Sequence, residues 1–458
     1  MKKILITGAT GQLGRFVGLE LFKKGYAIKI VSRSAKKALQ QLPFPAEVIE
    51  KDLVQQPLDS SDFQDVETVI HLMGESIDSR WTESQKTKIR QSRSDSSRNL
   101  LLNLPESVRT VISASAQGIY GDRGDESITE TSPVSKDSDH FLAQVCLEWE
   151  KPFIEKASLF KQTRFAQLRM GVLLDPQMGA LKKMLPLFQR NLGASLGSGQ
   201  QWMSWISLSD MVRVVLFAVE NSVIRGPVNC SAPQPVRNAD FTSALCYELG
   251  VLQAPAVPQL VLKTVYGEMA SMLFDSTRMI PEFLLKSGFQ FQHEDLNKYF
   301  SEALVDFKNG QMVLEAYQYI PQEVNQVFAF FSEAKNLETI TPPTLSFKID
   351  QMSTPQIQQG TLIDYKLKIH GVPVGWRTLI DQWKPPFQFV DTQLKGPYRL
   401  WHHTHQFESL GSGTLMKDRV IYKLPMGRVG YFVAGAFVRS DVEKIFAFRR
   451  QFIADYRF

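Results

Sequence analysis

The chain has 458 residues, 43% of them hydrophobic and 22% charged, enough for two or three compact domains that each bury a core. Its formal charge of +5 is spread without a lysine or arginine block, which argues against a nucleic-acid partner. The 3 cysteines, Cys146, Cys230 and Cys246, fall in no metal-like or redox spacing, and no apolar run approaches a membrane span; a reduced, cytoplasmic protein is expected.

In chain order, the first predicted strand is the apolar run Ile4-Leu5-Ile6, and an apolar helical pattern runs on to Leu21. Between them stand Gly8, Thr10, Gly11, Gln12, Leu13 and Gly14. Three glycines between a buried strand and a helix allow a tight turn and a close backbone approach, so a pyrophosphate can sit on the helix N-terminus. A second strand, Ala27 to Val31, ends in Ser32 and Arg33 where an acidic residue would bind a free ribose hydroxyl. A planar cation and a hydroxyl suit a 2′-phosphate instead, so NADP is the expected cofactor. Val69 to Leu72, Thr110 to Ser113 and Phe165 to Leu174 continue the strands, with helices between. Strands alternating with helices imply a doubly wound parallel sheet of the Rossmann type, whose ligands lie outside the strands' carboxyl ends. Those ends add Leu72, Gly74 and Ser113 as cofactor-binding candidates and Glu75 on the substrate side.

The segments Arg80-Trp81-Thr82, Ser92-Arg93, Ser113-Ala114-Ser115-Ala116-Gln117-Gly118-Ile119-Tyr120-Gly121-Asp122-Arg123-Gly124-Asp125, Phe141-Leu142-Ala143 and Leu196-Gly197-Ser198-Gly199-Gln200-Gln201-Trp202 carry a likeness. Over about residues 1–300 the chain resembles the epimerase-like, atypical short-chain dehydrogenase/reductase family of the NAD-dependent epimerase/dehydratase superfamily. The resemblance implies an NADP-binding domain over 1–240 and a small C-terminal module on the substrate side over 241–303. It implies an oxidoreductase or epimerase acting on a small molecule. Such enzymes use a tyrosine to move a proton and a lysine four residues later to lower its pKa. None of the 12 tyrosines has lysine at that spacing, and the helix that should carry the pair reads Phe141, Leu142, Val145 and Cys146 instead.

Two readings stay open. In one, Ser115 holds a substrate carbonyl and Tyr120 or Asp122 supplies the proton. In the other, the domain is a catalytically silent NADP-binding sensor or scaffold. Cys146, unpaired on an apolar helix face, reads as packing rather than a nucleophile. Trp202 and Trp205 stand where extended short-chain reductases shape the substrate pocket; the competing reading is two core aromatics in a buried turn.

From about residue 311 the rhythm changes. Val313 to Ile320 reads as a strand and Pro321 to Lys335 as a helix. Next comes a strand with Ile363, Tyr365, Leu367 and Ile369 on one side and Asp364, Lys366 and Lys368 on the other. A turn over Gly371 to Gly375 leads to strands at 376–383, 387–394, 399–407 and 414–424, and an amphipathic helix with Phe437, Ile445, Phe448 and Phe452 closes the chain. This order, with Gly396 to His405, resembles the START-like helix-grip (SRPBCC) superfamily over residues 311–458. The resemblance implies an α+β domain holding a hydrophobic ligand between sheet and helix, with Trp376 and Trp401 near it. His403 and His405 share a strand face that excludes His402; with no carboxylate or cysteine at a recognisable spacing, no metal is expected. A homo-oligomer is compatible with all of this.

Overall fold

A computed structural model describes residues 2–456. The chain divides into two compact units, Met1–Ala38 with Ala46–Ala303, and Leu39–Pro45 with Leu304–Phe458.

In the first unit, strands β1 (Lys3–Thr7), β2 (Ala27–Ser32), β3 (Glu47–Glu50), β4 (Val66–His71), β5 (Thr110–Ala116), β6 (Arg164–Met170) and β7 (Gly226–Cys230) form one sheet. Their order is β7-β6-β5-β4-β1-β2-β3, all parallel. The order reverses between β1 and β4, so the ligand crevice opens outside their carboxyl ends. Helices α1 (Gln12–Lys23), α2 (Glu83–Leu102), α3 (Phe141–Leu159) and α4 (Leu208–Glu220) cover the sheet, α1 packing with α4 and α2 with α3. Leu5, Val69 and Val111 pack with Leu100, Trp149 and Phe153 of α2 and α3. Ile4 and Ile6 are equally buried and, by alternation, face the opposite layer. Burial on both faces is why these strands read as unbroken apolar runs.

The expected strand Phe165 to Leu174 is two strands. Val172–Asp175 leaves the sheet to pair with Trp205–Ser207. The break is at Gly171, whose N–H donates to Cys230 O and where a Cβ would lie 2.7 Å from Ser204 O. Only glycine permits that approach.

The second unit is a seven-stranded antiparallel sheet made from β8 (Gln311–Ile320), β9 (Lys348–Met352), β10 (Leu362–Ile369), β11 (Val372–Lys384), β12 (Gln388–Lys395), β13 (Leu400–Leu410) and β14 (Gly413–Lys423), in the order β8-β14-β13-β12-β11-β10-β9. Helices α5 (Val324–Phe331) and α6 (Ala334–Thr339) fill the first connection, and α7 (Arg428–Asp455, 28 residues, about 42 Å long) follows the last strand. Ile363, Tyr365 and Leu367 are buried while Lys366 and Lys368 are exposed, as period-2 alternation requires. This is a helix-grip fold. The expected turn over Gly371 to Gly375 is shorter: His370 and Gly371 alone turn, both at positive φ, and Ile369 pairs directly with Val372. A two-residue turn of that handedness matches the twist of the flanking strands, so pairing resumes at once.

Candidate functional site

At the crevice of the first unit, β1 passes into α1 through the glycine turn. Gly8 stands at φ +71°, and a Cβ there would lie 2.7 Å from the backbone carbon of Leu72. A Cβ on Gly14 would lie 2.3 Å from the Gly8 carbonyl oxygen. Gly11 caps α1 with no side-chain hydrogen bond, and no acidic residue stands in the first turn. The N–H groups of that turn are therefore open to an anion, which the helix dipole favours. Thr10 and Gln12 lie at the surface here, whereas the side chain of Leu13 is in the core, so only its backbone can contribute.

At the end of β2, Ser32 Oγ donates to Ser34 O at 3.3 Å, and Arg33 is exposed. Beyond β4, Leu72 donates its N–H to Thr7 O, and Gly74 and Glu75 are exposed, the Glu75 N–H donating to Ser92 Oγ at 2.8 Å. Ser113 is buried, and its Oγ has no hydrogen-bond partner among the described residues. An unmet hydroxyl at a strand end, together with a glycine cradle that any Cβ would fill, fits a dinucleotide laid across the crevice.

The two residues expected to act on a substrate sit elsewhere. Ser115 is 0% and Tyr120 1% exposed. Ser115 Oγ donates to Glu150 Oε1 at 2.6 Å; Arg169 grips the same carboxylate through Nε at 2.9 Å and Nη2 at 2.8 Å. Arg169 Nη1 donates to Tyr120 Oη at 2.9 Å, and Tyr120 Oη donates to Asn229 Oδ1 at 2.7 Å. Burial pushes the Tyr120 phenol up despite the pull of Arg169. The structure thus corrects the expectation that these hydroxyls face a substrate: it brings Ser115 and Tyr120 together, but inside a closed network that spends both protons on protein acceptors. Alternation explains it, since Val111, Ser113 and Ser115 share the face covered by α2 and α3. Burial likewise pushes the Cys146 thiol up to about 12, which leaves it inert.

Of the two tryptophans, Trp202 is half-buried, donates Nε1 to Asp125 at 2.9 Å, and lies under the guanidinium groups of Arg237 and Arg278. Asp125 and Arg237 also line an open polar groove of about 590 Å³ with Asp122, Gly197, Gln200 and Ser276. Trp205 is fully buried, stacks on Tyr299 with ring centroids 5.5 Å apart, and donates to Gln234 O. It is a core residue, which corrects its assignment to the substrate pocket.

In the second unit a cavity of about 560 Å³ lies between the sheet and α7. Ile363, Leu367 and Ile380 from the sheet and Val438, Ile445 and Phe448 from α7 give it apolar walls. Trp376 and Trp401 both line it, their rings edge-to-face with centroids 5.4 Å apart. One end is polar: Asp391, His403, His405 and Arg449. The premise behind the expectation of no metal, that no carboxylate stands with the two histidines, fails here. Strand pairing sets Asp391 of β12 opposite His403 and Asp418 of β14 opposite His405, and Asp391, His403 and His405 offer ligand atoms within 4.8 Å of one another. The missing carboxylate came from neighbouring strands, where sequence spacing is no guide.

Comparison with known proteins agrees with both units. The model of the NAD dependent epimerase/dehydratase family matches residues 4–230, a domain of unknown function (DUF1731) matches 257–303, and polyketide cyclase / dehydrase and lipid transport matches 320–448. An epimerase family protein of Arabidopsis thaliana, the chloroplastic SDR39U1 homolog, is 36% identical over 313 residues, covering 66% of this chain and 85% of the plant protein. The chain belongs to the epimerase family. Human epimerase family protein SDR39U1, solved with NADPH, shares the fold at a TM-score of 0.57 and 24% identity, covering 66% of this chain and 98% of the human one. A nucleoside-diphosphate sugar epimerase from Corynebacterium glutamicum superposes at 0.52 with 30% identity, over 66% of this chain and 58% of that one. No helix among the described residues is long and apolar enough to cross a membrane.

Two residues of this epimerase-family chain escaped the sequence reading as site residues. Arg93 lies against Gly74, where a Cβ would meet its guanidinium at 3.1 Å, and over the Trp149 ring; burial pulls its pKa down. His140, directly before Phe141 at the start of α3, caps that helix by accepting from the Ala143 N–H and pairs with Asp275 at 2.9 Å. The hydrogen bond to Asp275 raises its pKa, against the opposing effect of burial. Neither is visible in the sequence because each gains its role from a partner on another element.

Proposed function

We propose that this epimerase-family protein binds NADP in its first unit and a hydrophobic small molecule in its second. The observation that carries the first half is the glycine turn, whose Gly8 and Gly14 leave no room for a Cβ beneath an uncapped helix N-terminus. Arg33 and Ser32 would take the 2′-phosphate, the planar guanidinium giving a charge-assisted pair. NADPH in the structure of the human relative supports the choice. When bound, the nicotinamide supplies a hydride donor or acceptor. Arg33→Asp is expected to shift preference toward NAD by at least about tenfold, equivalent to about 1.4 kcal/mol; equal affinity of the unaltered protein for both cofactors in calorimetry would overturn the assignment.

An oxidoreductase or epimerase acting on an unknown small molecule needs a proton donor at the crevice. Burial of Ser115 and Tyr120 in the network with Glu150 and Arg169, and the use of Asp122 Oδ1 as acceptor for the Gly124 and Ser276 N–H groups, favour the other reading, a silent NADP-binding sensor or scaffold. Oxidation of bound NADPH by any carbonyl or sugar substrate in a broad screen would restore the enzyme reading. For the second unit, an apolar cavity with a few convergent polar groups is the usual form of a small-molecule site, and the matching lipid-transport family supports it. The full chain is expected to bind a hydrophobic fluorescent probe, and Leu367→Trp, which narrows the cavity, to weaken that binding severalfold. No change in a folded variant would place the probe elsewhere.

A further inference from the structure

The polar end of the cavity carries a chemistry that a carrier of apolar molecules does not require. His403 and His405 both project from one face of β13, with ring centroids 3.8 Å apart. Each ring presents one nitrogen to Asp391 and the other to Asp418. On the Asp391 side, His405 Nε2 lies 3.0 Å and His403 Nδ1 3.4 Å from the same Oδ2. On the Asp418 side, His403 Nε2 lies 3.0 Å and His405 Nδ1 2.8 Å from the same Oδ1, with Arg449 Nη1 at 3.5 Å. The two sides are not equivalent. Asp391, His403 and His405 line the cavity, whereas Asp418 lies behind them and does not.

We propose that Asp391 Oδ2, His403 Nδ1 and His405 Nε2 are the protein ligands of a divalent transition-metal ion whose open coordination positions face the cavity. Three features carry this. The first is spacing. Metal–ligand bonds of roughly 2.1 Å put neighbouring donors about 3.0 to 3.4 Å apart in octahedral or tetrahedral geometry, which matches the separations at Asp391. The second is the outer carboxylate. Asp418 is hydrogen-bonded to His403 Nε2 at 3.0 Å, which fixes that ring's orientation and tautomer as an outer carboxylate does behind a metal, and it lies beside His405 Nδ1. Phe389 stacked on His405 at 4.1 Å and Phe446 against His403 at 5.5 Å restrain the rings further.

The third feature is charge. Buried Asp418 and half-buried Asp391 stand against the Arg449 guanidinium, so with both imidazoles neutral the cluster keeps an excess negative charge that a cation at Asp391 offsets. Two imidazoles and one carboxylate suit iron(II), zinc, cobalt or manganese, and three protein ligands leave positions open for an exogenous oxygen. The ion would hold an oxygen-bearing group, a carboxylate or hydroxyl, at one end of a molecule whose apolar body occupies the rest of the cavity. The metal site stands independently of the identity of that molecule.

The test uses the full chain, freed of metal by a chelator and titrated with Co²⁺. Expected are one equivalent bound per chain, visible ligand-field absorption, and two sets of paramagnetically shifted imidazole protons. Asp391→Asn and His405→Gln should abolish the absorption. Asp418→Asn should keep the stoichiometry but weaken affinity about 10- to 100-fold, as loss of an outer carboxylate does. His402→Gln, on the opposite face of β13, should change nothing. Absence of Co²⁺ absorption at millimolar metal in the folded wild-type protein overturns the proposal and leaves an imidazole–carboxylate cluster alone. So does unchanged absorption in His405→Gln. Should that variant fail to fold, the imidazole count in the wild-type protein decides, and any number other than two overturns the assignment.

Discussion

Gly14→Ala is expected to weaken NADPH binding by at least about 100-fold, equivalent to about 2.7 kcal/mol. The added Cβ would lie 2.3 Å from the Gly8 carbonyl oxygen and 2.8 Å from Ala9 Cα. Both obstacles are backbone, so no side chain can rotate away, and α1 must shift from the glycine turn. That shift displaces the N–H groups on which the pyrophosphate depends. Gly11→Ala gives the internal comparison. Its Cβ would meet Gly8 O at 3.0 Å, and its φ of −70° is open to any residue, so its effect should be much smaller. Calorimetric titration of both variants with NADPH checks the order. Affinity of the Gly14 variant within about threefold of wild type would remove the dinucleotide from the α1 terminus.

Glu150→Gln is expected to cost the first unit about 3 to 5 kcal/mol of stability. The substitution keeps the shape of the side chain but leaves the Arg169 guanidinium, gripped at 2.9 and 2.8 Å in the native state, without a counter-charge in the core. Natural domains hold only about 5 to 15 kcal/mol in reserve, so the loss should show as a large fall in the urea midpoint. Tyr120→Phe is expected to cost less, about 1 to 3 kcal/mol, because it unpairs Asn229 and one Arg169 donor but leaves the ion pair. These effects belong to folding. A Tyr120→Phe variant with unchanged stability and lost turnover would instead return the phenol to the reacting centre.

The two units differ in how far local sequence reaches. The glycine turn was legible because every requirement it meets lies within a few residues: a strand before, a helix after, and positions where a Cβ collides with nearby backbone. The helix-grip sheet was legible in the same way, since Ile363, Tyr365 and Leu367 alternate with charged neighbours at the period of a half-buried strand. Strand limits were less so. The hairpin at His370 and Gly371 depends on two consecutive positive φ values, and a run of Gly, Val and Pro residues hides where pairing resumes.

What the sequence alone determined is therefore periodic and local: a parallel sheet with a phosphate-binding turn, then an antiparallel sheet with one apolar face under a long helix. Tertiary structure decided which polar groups meet. Ser115, Glu150, Arg169, Tyr120 and Asn229 converge from separate elements, with 109 residues between the two ends of one hydrogen bond, and only their burial reveals that the hydroxyls are committed inward. Asp391 reaches His403 and His405 through strand register, a property of pairing between segments that neither segment encodes by itself. Local chemistry is set by neighbours along the chain, but a site of several side chains is set by neighbours in space, and hydrogen-bonded sheet register is the step that converts one into the other.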